Sequence, residues 1–325
     1  MRFLAFIVGL IIVTHLAPAY AQRPDVVMQV RAAIDAGDVA QGERMLAAYK
    51  ASVGADGAYL EALSWMARGK LSSKDYTAAD KYAAQVRAGV LDQLKKHKLD
   101  DDSSLGLALG ASIEVQAQIL NATGRKTEAV AFLQEEVKTW HDTSLRARVQ
   151  KNLNLISMVG RRFPKLETKE YLGAAPPSLV ALRGKPVLLF FWAHWCGDCK
   201  AEAGVLAQLA QAHPDLVVVG PTQHYGYVEG GQEVARDAES RYIEAIRAKY
   251  YARIPRMSVP ISEENFKAWG ASTTPTLALI DRQGIVRLYH PGRMTYAELA
   301  PKVAALMKPA AVPPARCLRA KRPTE

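Results

Sequence analysis

From Gln22 to Met158 apolar side chains recur at helical spacing, as in Val27, Val30, Ala33 and Ile34 and again in Val115, Ile119 and Leu120, with no strand-like alternation. The stretch is rich in Ala, Leu, Glu, Gln and Lys, which favour helices, and Pro24 is its only proline before Pro164. These features predict an all-helical region. After Pro164 the pattern changes. Gly184-Lys185-Pro186 leads into an unbroken apolar run from Val187 to Trp192, the signature of a strand buried on both faces. From Cys196 the period turns helical, through Val205, Leu206, Leu209 and Ala212, and ends at His213-Pro214. Arg236 to Tyr250 reads as a charged amphipathic helix with Tyr242, Ile246 and Tyr250 on one face.

The helical region carries a loose internal repeat. Gly37-Asp38, Asp75-Tyr76 and Gly124-Arg125 stand at turns, and the small residues Gly42, Ala79 and Ala129 follow them at offsets of 37 and 50. The pattern, with Trp65, Met66 and Gly69 before Tyr76, resembles tetratricopeptide (TPR) helix pairs, although a strict 34-residue period is absent. The resemblance implies a concave surface for a protein or peptide ligand. The plainer alternative is a packing appendage with no ligand of its own. Asp100-Asp101-Asp102 lacks the Gly and Glu positions of a calcium loop and reads as helix capping.

The ends of the chain read differently. Arg2, the apolar run Phe3 to Val13, and Ala19-Tyr20-Ala21 form a secretory signal peptide cut before Gln22. The run is too short for a membrane span, which needs about 20 apolar residues. The expectation is an exported protein of the bacterial periplasm, or a secreted one, with no transmembrane segment in the mature chain. The divisions are residues 1–21, the signal peptide; 22–158, helical; 159–308, α/β; and 309–325, a basic, Pro-rich tail. Lys plus Arg less Asp plus Glu gives 42 − 32 = +10, but Lys308 to Glu325 alone contributes five basic residues against one acid. The folded body is only mildly basic, which argues against a nucleic-acid partner. Apolar residues at 49% and charged residues at 23% exclude a disordered chain.

The chemistry lies in Ala193-His194-Trp195-Cys196-Gly197-Asp198-Cys199. Two cysteines sit where a strand hands over to a helix, with Cys196 at the helix N-terminus. Free N–H groups and the helix dipole stabilise a thiolate there. Cys196 would attack a substrate disulfide, and the deeper Cys199 would resolve the mixed disulfide. The alternatives are half of a zinc site, which wants a second ligand pair where only Cys317 remains, and a structural disulfide, which closes too short a loop to stabilise much.

From about Pro164 to Met307 the sequence resembles the thioredoxin fold, and within it the TlpA/ResA-type periplasmic thiol-disulfide oxidoreductases. The resemblance is carried by Leu179 to Ala193, the C-x-x-C pair, Leu216 to Gly220, Ser258 to Ile261, Ser272-Thr273-Thr274-Pro275-Thr276, and a closing hairpin through Leu277–Ile280 and Ile285–Tyr289. It implies a cis Pro275 beside the cysteines and a Thr274 backbone that pairs with an extended substrate. It further implies exchange with protein thiols and disulfides, without a cofactor, in the reducing direction rather than the oxidising one. The sequence departs from the family in three places. Phe190 stands where thioredoxins bury an Asp, Asp198 replaces the usual Pro, and Gly204 replaces a helix Pro. Asp198 has two readings: a first-turn acid that complements the dipole, or the missing proton acceptor for Cys199. Trp195, Gly197, Asp198 and His194 are the residues placed to tune the pair, with His194 expected to be solvated. The rival function is a non-enzymatic binding module that uses the α/β fold as a scaffold for its helical repeats.

Overall fold

The structure is a computed structural model that describes residues 25–176, 182 and 184–307. The expected signal peptide, the basic tail and Cys317 lie outside the described residues. So does most of the segment from Leu179 to Arg183.

Seven helices come first: α1 (Asp25–Asp35), α2 (Val39–Ser52), α3 (Gly57–Ser72), α4 (Tyr76–Gln93), α5 (Ser103–Ala122), α6 (Lys126–Thr139) and α7 (Arg146–Ser157). Aspartates start four of them. The carboxylates of Asp38, Asp56, Asp75 and Asp102 accept from the backbone N–H groups of Gln41, Tyr59, Ala78 and Ser104. Each such cap contributes about 1 kcal/mol. The acidic run is therefore divided in its work: Asp102 caps α5, while Asp100 accepts from the Ser144 hydroxyl at 2.6 Å. The small residues Gly42, Ala79 and Ala129 are all buried, one in each of α2, α4 and α6. A Cβ on Gly42 would meet the Met66 sulfur at 2.9 Å, so α2 and α3 approach closely there, with the flexible Met66 side chain as the near neighbour.

The second half is a six-stranded sheet in the order β1-β4-β3-β2-β5-β6. Its strands are β1 (Tyr171–Gly173), β2 (Val187–Phe191), β3 (Val217–Val219), β4 (Ser258–Pro260), β5 (Thr276–Ile280) and β6 (Val286–Pro291). β2 runs parallel to β3 and antiparallel to β5, with Phe190 opposite Leu277. The helices are α8 (Gly197–Ala212), α9 (Arg236–Tyr250), α10 (Glu263–Trp269) and α11 (Tyr296–Met307). The unbroken apolar run has a direct cause. Leu188 and Phe190 pack with Leu206, Ile243 and Tyr251 on one face of the sheet. Val187, Leu189 and Phe191 pack with Phe266, Trp269 and Ala278 on the other. This is a thioredoxin fold behind an all-helical region. The strand β1 has no strong signal in the sequence, because it is three residues long and bound only to β4.

The two halves are joined face to face. The Asn154 side chain on α7 donates to the Trp269 carbonyl at 2.8 Å, and Arg146 forks onto Glu264 at 3.0 and 2.7 Å. Gly270 ends α10 at φ 63°, and a Cβ there would lie 2.7 Å from the Gln150 carbonyl carbon of α7. The linker then crosses to the hairpin, where Gly160 N–H donates to Val286 O and Phe163 N–H to Gly284 O. Among the described residues no helix is long and apolar enough to cross a membrane.

Candidate functional site

β2 delivers Trp192 to Cys196 at the end of the sheet, and α8 begins one residue later. Cys196 is the N-cap of α8, with extended backbone dihedrals, and its sulfur accepts the Cys199 N–H at 3.0 Å. Cys196 and Cys199 form a disulfide with their Cα atoms 5.3 Å apart. Both are buried, Cys199 completely. Trp195, just before them, is 50% exposed, so access to Cys196 runs past its ring. The Thr274-Pro275 bond is cis, and the Thr274 carbonyl lies 3.5 Å from the Cys196 sulfur. The Pro275 carbonyl is already committed to Gly292 N–H at 2.7 Å. Gly197 has a negative φ and open space around its α-carbon, so neither backbone strain nor crowding demands a glycine there.

His194 corrects the expectation of a solvated side chain. It is fully buried. The loop after β3 and the helix α9 fold over it, and the rings of Tyr225, Tyr227 and Tyr242 meet it edge-on at 5.3–5.5 Å. Its Nε2 lies 3.3 Å from a Glu239 carboxylate oxygen, while Nδ1 has no partner. Burial pushes its pKa below the ordinary histidine value, against the pull of Glu239, and favours the neutral ring. Glu239 in turn accepts from the backbone N–H groups of Tyr225 at 2.6 Å and Gly226 at 3.0 Å. One carboxylate thereby fixes the loop that flanks the cysteines.

The carboxylates of α8 occupy contrasting settings. Asp198 is 68% exposed, and its carboxylate lies 3.6 Å from Arg293. Glu202 is fully buried. It accepts weakly from Met294 N–H at 3.4 Å, and its other oxygen has no hydrogen-bond partner, with Arg293 Nε 3.8 Å away. Burial pushes its pKa up to about 7, the Met294 bond and Arg293 opposing. Glu202 follows Cys199 by three residues, so the two share one helix face. Sequence reasoning passed over it. The available signal was a lone acid inside the apolar stripe of Cys199, Leu206 and Leu209.

Residues 178–306 match the family model described as a thioredoxin-like domain. Over 53 residues the chain is 45% identical to the soluble secreted antigen MPT53 of Mycobacterium tuberculosis, covering 16% of this chain and 31% of that protein. It is 28% identical over 128 residues to the thiol:disulfide interchange protein DsbE of Xylella fastidiosa, covering 39% of this chain and 57% of that protein. A solved secreted disulfide oxidoreductase of M. tuberculosis, described as homologous to E. coli DsbE, shares 23% identity at a TM-score of 0.33, covering 43% of this chain and 97% of that one. The chain thus spans about a third of the length of MPT53 and somewhat over half that of DsbE.

Proposed function

We propose that this protein is a thiol-disulfide oxidoreductase that acts on exported proteins, with Cys196 as nucleophile and Cys199 as resolving thiol. The observation that carries the reading is the cysteine pair at the start of α8, where the Cys196 sulfur takes a backbone N–H as an N-cap. That position stabilises a thiolate through both the free N–H groups and the helix dipole. The likeness to thiol:disulfide interchange proteins supports it.

In the reducing direction the reduced pair begins the reaction. The Cys196 thiolate attacks one sulfur of a substrate disulfide, that S–S bond breaks, and the second substrate sulfur leaves as a thiolate. Cys199 then gives up its proton and attacks the Cys196 sulfur. The mixed disulfide breaks, the substrate departs with both sulfurs reduced, and the Cys196–Cys199 bond holds the oxidising equivalents. A dithiol donor protein restores the pair by the reverse exchange. With Phe190 at the usual Asp position, Glu202 is the carboxylate suited to take the Cys199 proton, since its pKa near 7 lets it cycle at neutral pH. The Thr274 backbone would align the substrate chain beside the bond being broken. His194 and Trp195 would act by position, through the loop they brace and the approach they flank.

In this reading the helical region is TPR-like, the domains divide near residues 22, 159 and 308, and a signal peptide delivers the protein to the periplasm. The subtype is TlpA/ResA-like. Insulin reduction with dithiothreitol tests the mechanism. Cys196→Ser should abolish turnover, and Cys199→Ser should accumulate a mixed disulfide visible by mass spectrometry. Wild-type turnover in Cys196→Ser would overturn the assignment.

A further inference from the structure

We propose that the helical half forms one wall of the substrate groove, and that this groove holds an extended, uncharged segment of a protein substrate next to the cysteine that bonds to Cys196. The inference rests on the disulfide-exchange reading above. Ser144 and Ala147 of the helical half face Trp195, Tyr225, Phe266 and Thr274 across a cleft of about 280 Å³.

The cleft lies beside the reacting bond, lined by Trp195 and Thr274, the neighbours of Cys196. Trp195 precedes Cys196 in the chain, and the Thr274 carbonyl is 3.5 Å from the Cys196 sulfur. A substrate sulfur bonded to Cys196 therefore has its flanking residues against one of these two, and chain leaving past Thr274 enters the cleft. The volume is at or below the lower end of pockets that enclose a drug-sized ligand, about 300 Å³, so the cleft suits a short stretch of chain rather than a cofactor.

Its chemistry selects the occupant. Three aromatic rings and two alanines supply apolar contact. The charges at the rim, Lys267 and Glu263, pair with each other at 2.8 Å and leave no net charge to attract a charged side chain. Two buried oxygens on the lining, Thr274 Oγ1 and Gln223 Oε1, have no hydrogen-bond partner. A polypeptide supplies side chains for the apolar surface, and a backbone N–H at every residue from which either oxygen can accept once its side chain rotates toward the cleft. The helical wall is fixed in place. Arg146, the neighbour of Ala147, is forked onto Glu264, and Asn154 holds the Trp269 carbonyl. The helical region then contributes to substrate choice through this wall.

The test compares rates of the reduced protein with defined disulfides. The probes are a homodimeric octapeptide disulfide with Leu on both sides of the cysteine, the same peptide with Glu in place of Leu, and glutathione disulfide. Wild-type protein should react at least tenfold faster with the Leu peptide than with either other probe. Ala147→Trp, confirmed by a cooperative unfolding transition, should lower the Leu-peptide to glutathione-disulfide ratio at least fivefold. Ala147→Leu should lower it less, and replaces the Trp variant if that one does not fold. Equal wild-type rates on the Leu and Glu peptides overturn the groove, as does a ratio unchanged by both variants. A wild-type protein that reacts with none of the probes overturns the exchange reading itself, a result distinct from loss of selectivity.

Discussion

The helical half satisfies both of its buried glutamates, whereas the thioredoxin half leaves one of its two incompletely bonded. Among the described residues four glutamates are buried: Glu61, Glu136, Glu202 and Glu239. The two in the helical half are partnered. Glu61 accepts from the Ser104 hydroxyl at 2.8 Å, and Glu136 accepts from Arg87 at 2.6 Å and Trp140 at 2.9 Å. In the second half Glu239 is satisfied by two backbone N–H groups and faces His194. Glu202 alone keeps an oxygen without a partner, and it lies one turn from Cys199. An unsatisfied buried polar atom costs about 1–3 kcal/mol, which a purely structural residue has no reason to impose. The contrast separates polar groups that hold shape from one left available for a proton.

The glycines make a parallel contrast and give the largest expected effect. Gly270→Ala puts a Cβ on a residue at φ 63° and drives it into the α7 backbone, which cannot yield as a side chain can. The left-handed conformation and the overpacking together should cost on the order of 4 kcal/mol. Gly42→Ala meets only the end of the Met66 side chain, and the better helix propensity of Ala offsets part of the clash. Its net effect should stay within about 1 kcal/mol. Urea denaturation of both variants checks the pair, and equal losses would mean that the contact between the halves is no stiffer than the helix packing.

Glu202→Gln comes next and carries a defined pH dependence. The folded carboxyl has its pKa raised to about 7 from an ordinary 4.5, so it keeps a proton that the unfolded chain has released. The stability this proton gives is fully present below pH 4.5, falls as pH rises toward 7, and is gone above that. Gln does not titrate. Relative to wild type, the variant should gain stability across that window, on the order of 3 kcal/mol in full. Release of the mixed disulfide should slow at least tenfold at neutral pH, because the proposed proton acceptor is gone. A stability difference that is flat with pH would show that Glu202 titrates normally.

What the sequence made legible was what local pattern encodes. The apolar run before Trp192, the cysteines at the strand-to-helix step and the helix Arg236–Tyr250 all stand where the periodicity places them. The aligned small residues Gly42, Ala79 and Ala129 are each buried at helix contacts. The environments of His194 and Glu202 were not legible, because distant chain creates them. Glu239 reaches His194 from 45 residues away, and Met294 reaches Glu202 from 92. His194 in sequence is a polar residue beside an active site. Only the loop after β3 and the helix α9, packed over it, make it a buried one. The short elements β1 and α10 escaped for the same reason, since pairing and docking stabilise them more than their own pattern does.

Asp198→Asn should have the smallest effect and sharpens the comparison most directly, because Asp198 and Glu202 stand on the same helix. Asp198 is 68% exposed, and the Arg293 near it is 50% exposed. An ion pair in that setting contributes about 0–1 kcal/mol, so stability should barely change. Its carboxylate lies two residues from Cys196 and disfavours the thiolate by repulsion that water and Arg293 largely screen. Removing the charge should lower the Cys196 thiol pKa by a few tenths of a unit and make the protein more oxidising by about 10 mV. Thiolate absorbance against pH measures the first, and equilibration with glutathione measures the second. Single-turnover release of the mixed disulfide should keep its wild-type rate, since in the proposed mechanism the Cys199 proton goes to the buried carboxylate. A tenfold slowing of release in Asp198→Asn, with normal release in Glu202→Gln, would reverse the two roles. The exposed acid would then be the acceptor, and the buried one an element of packing.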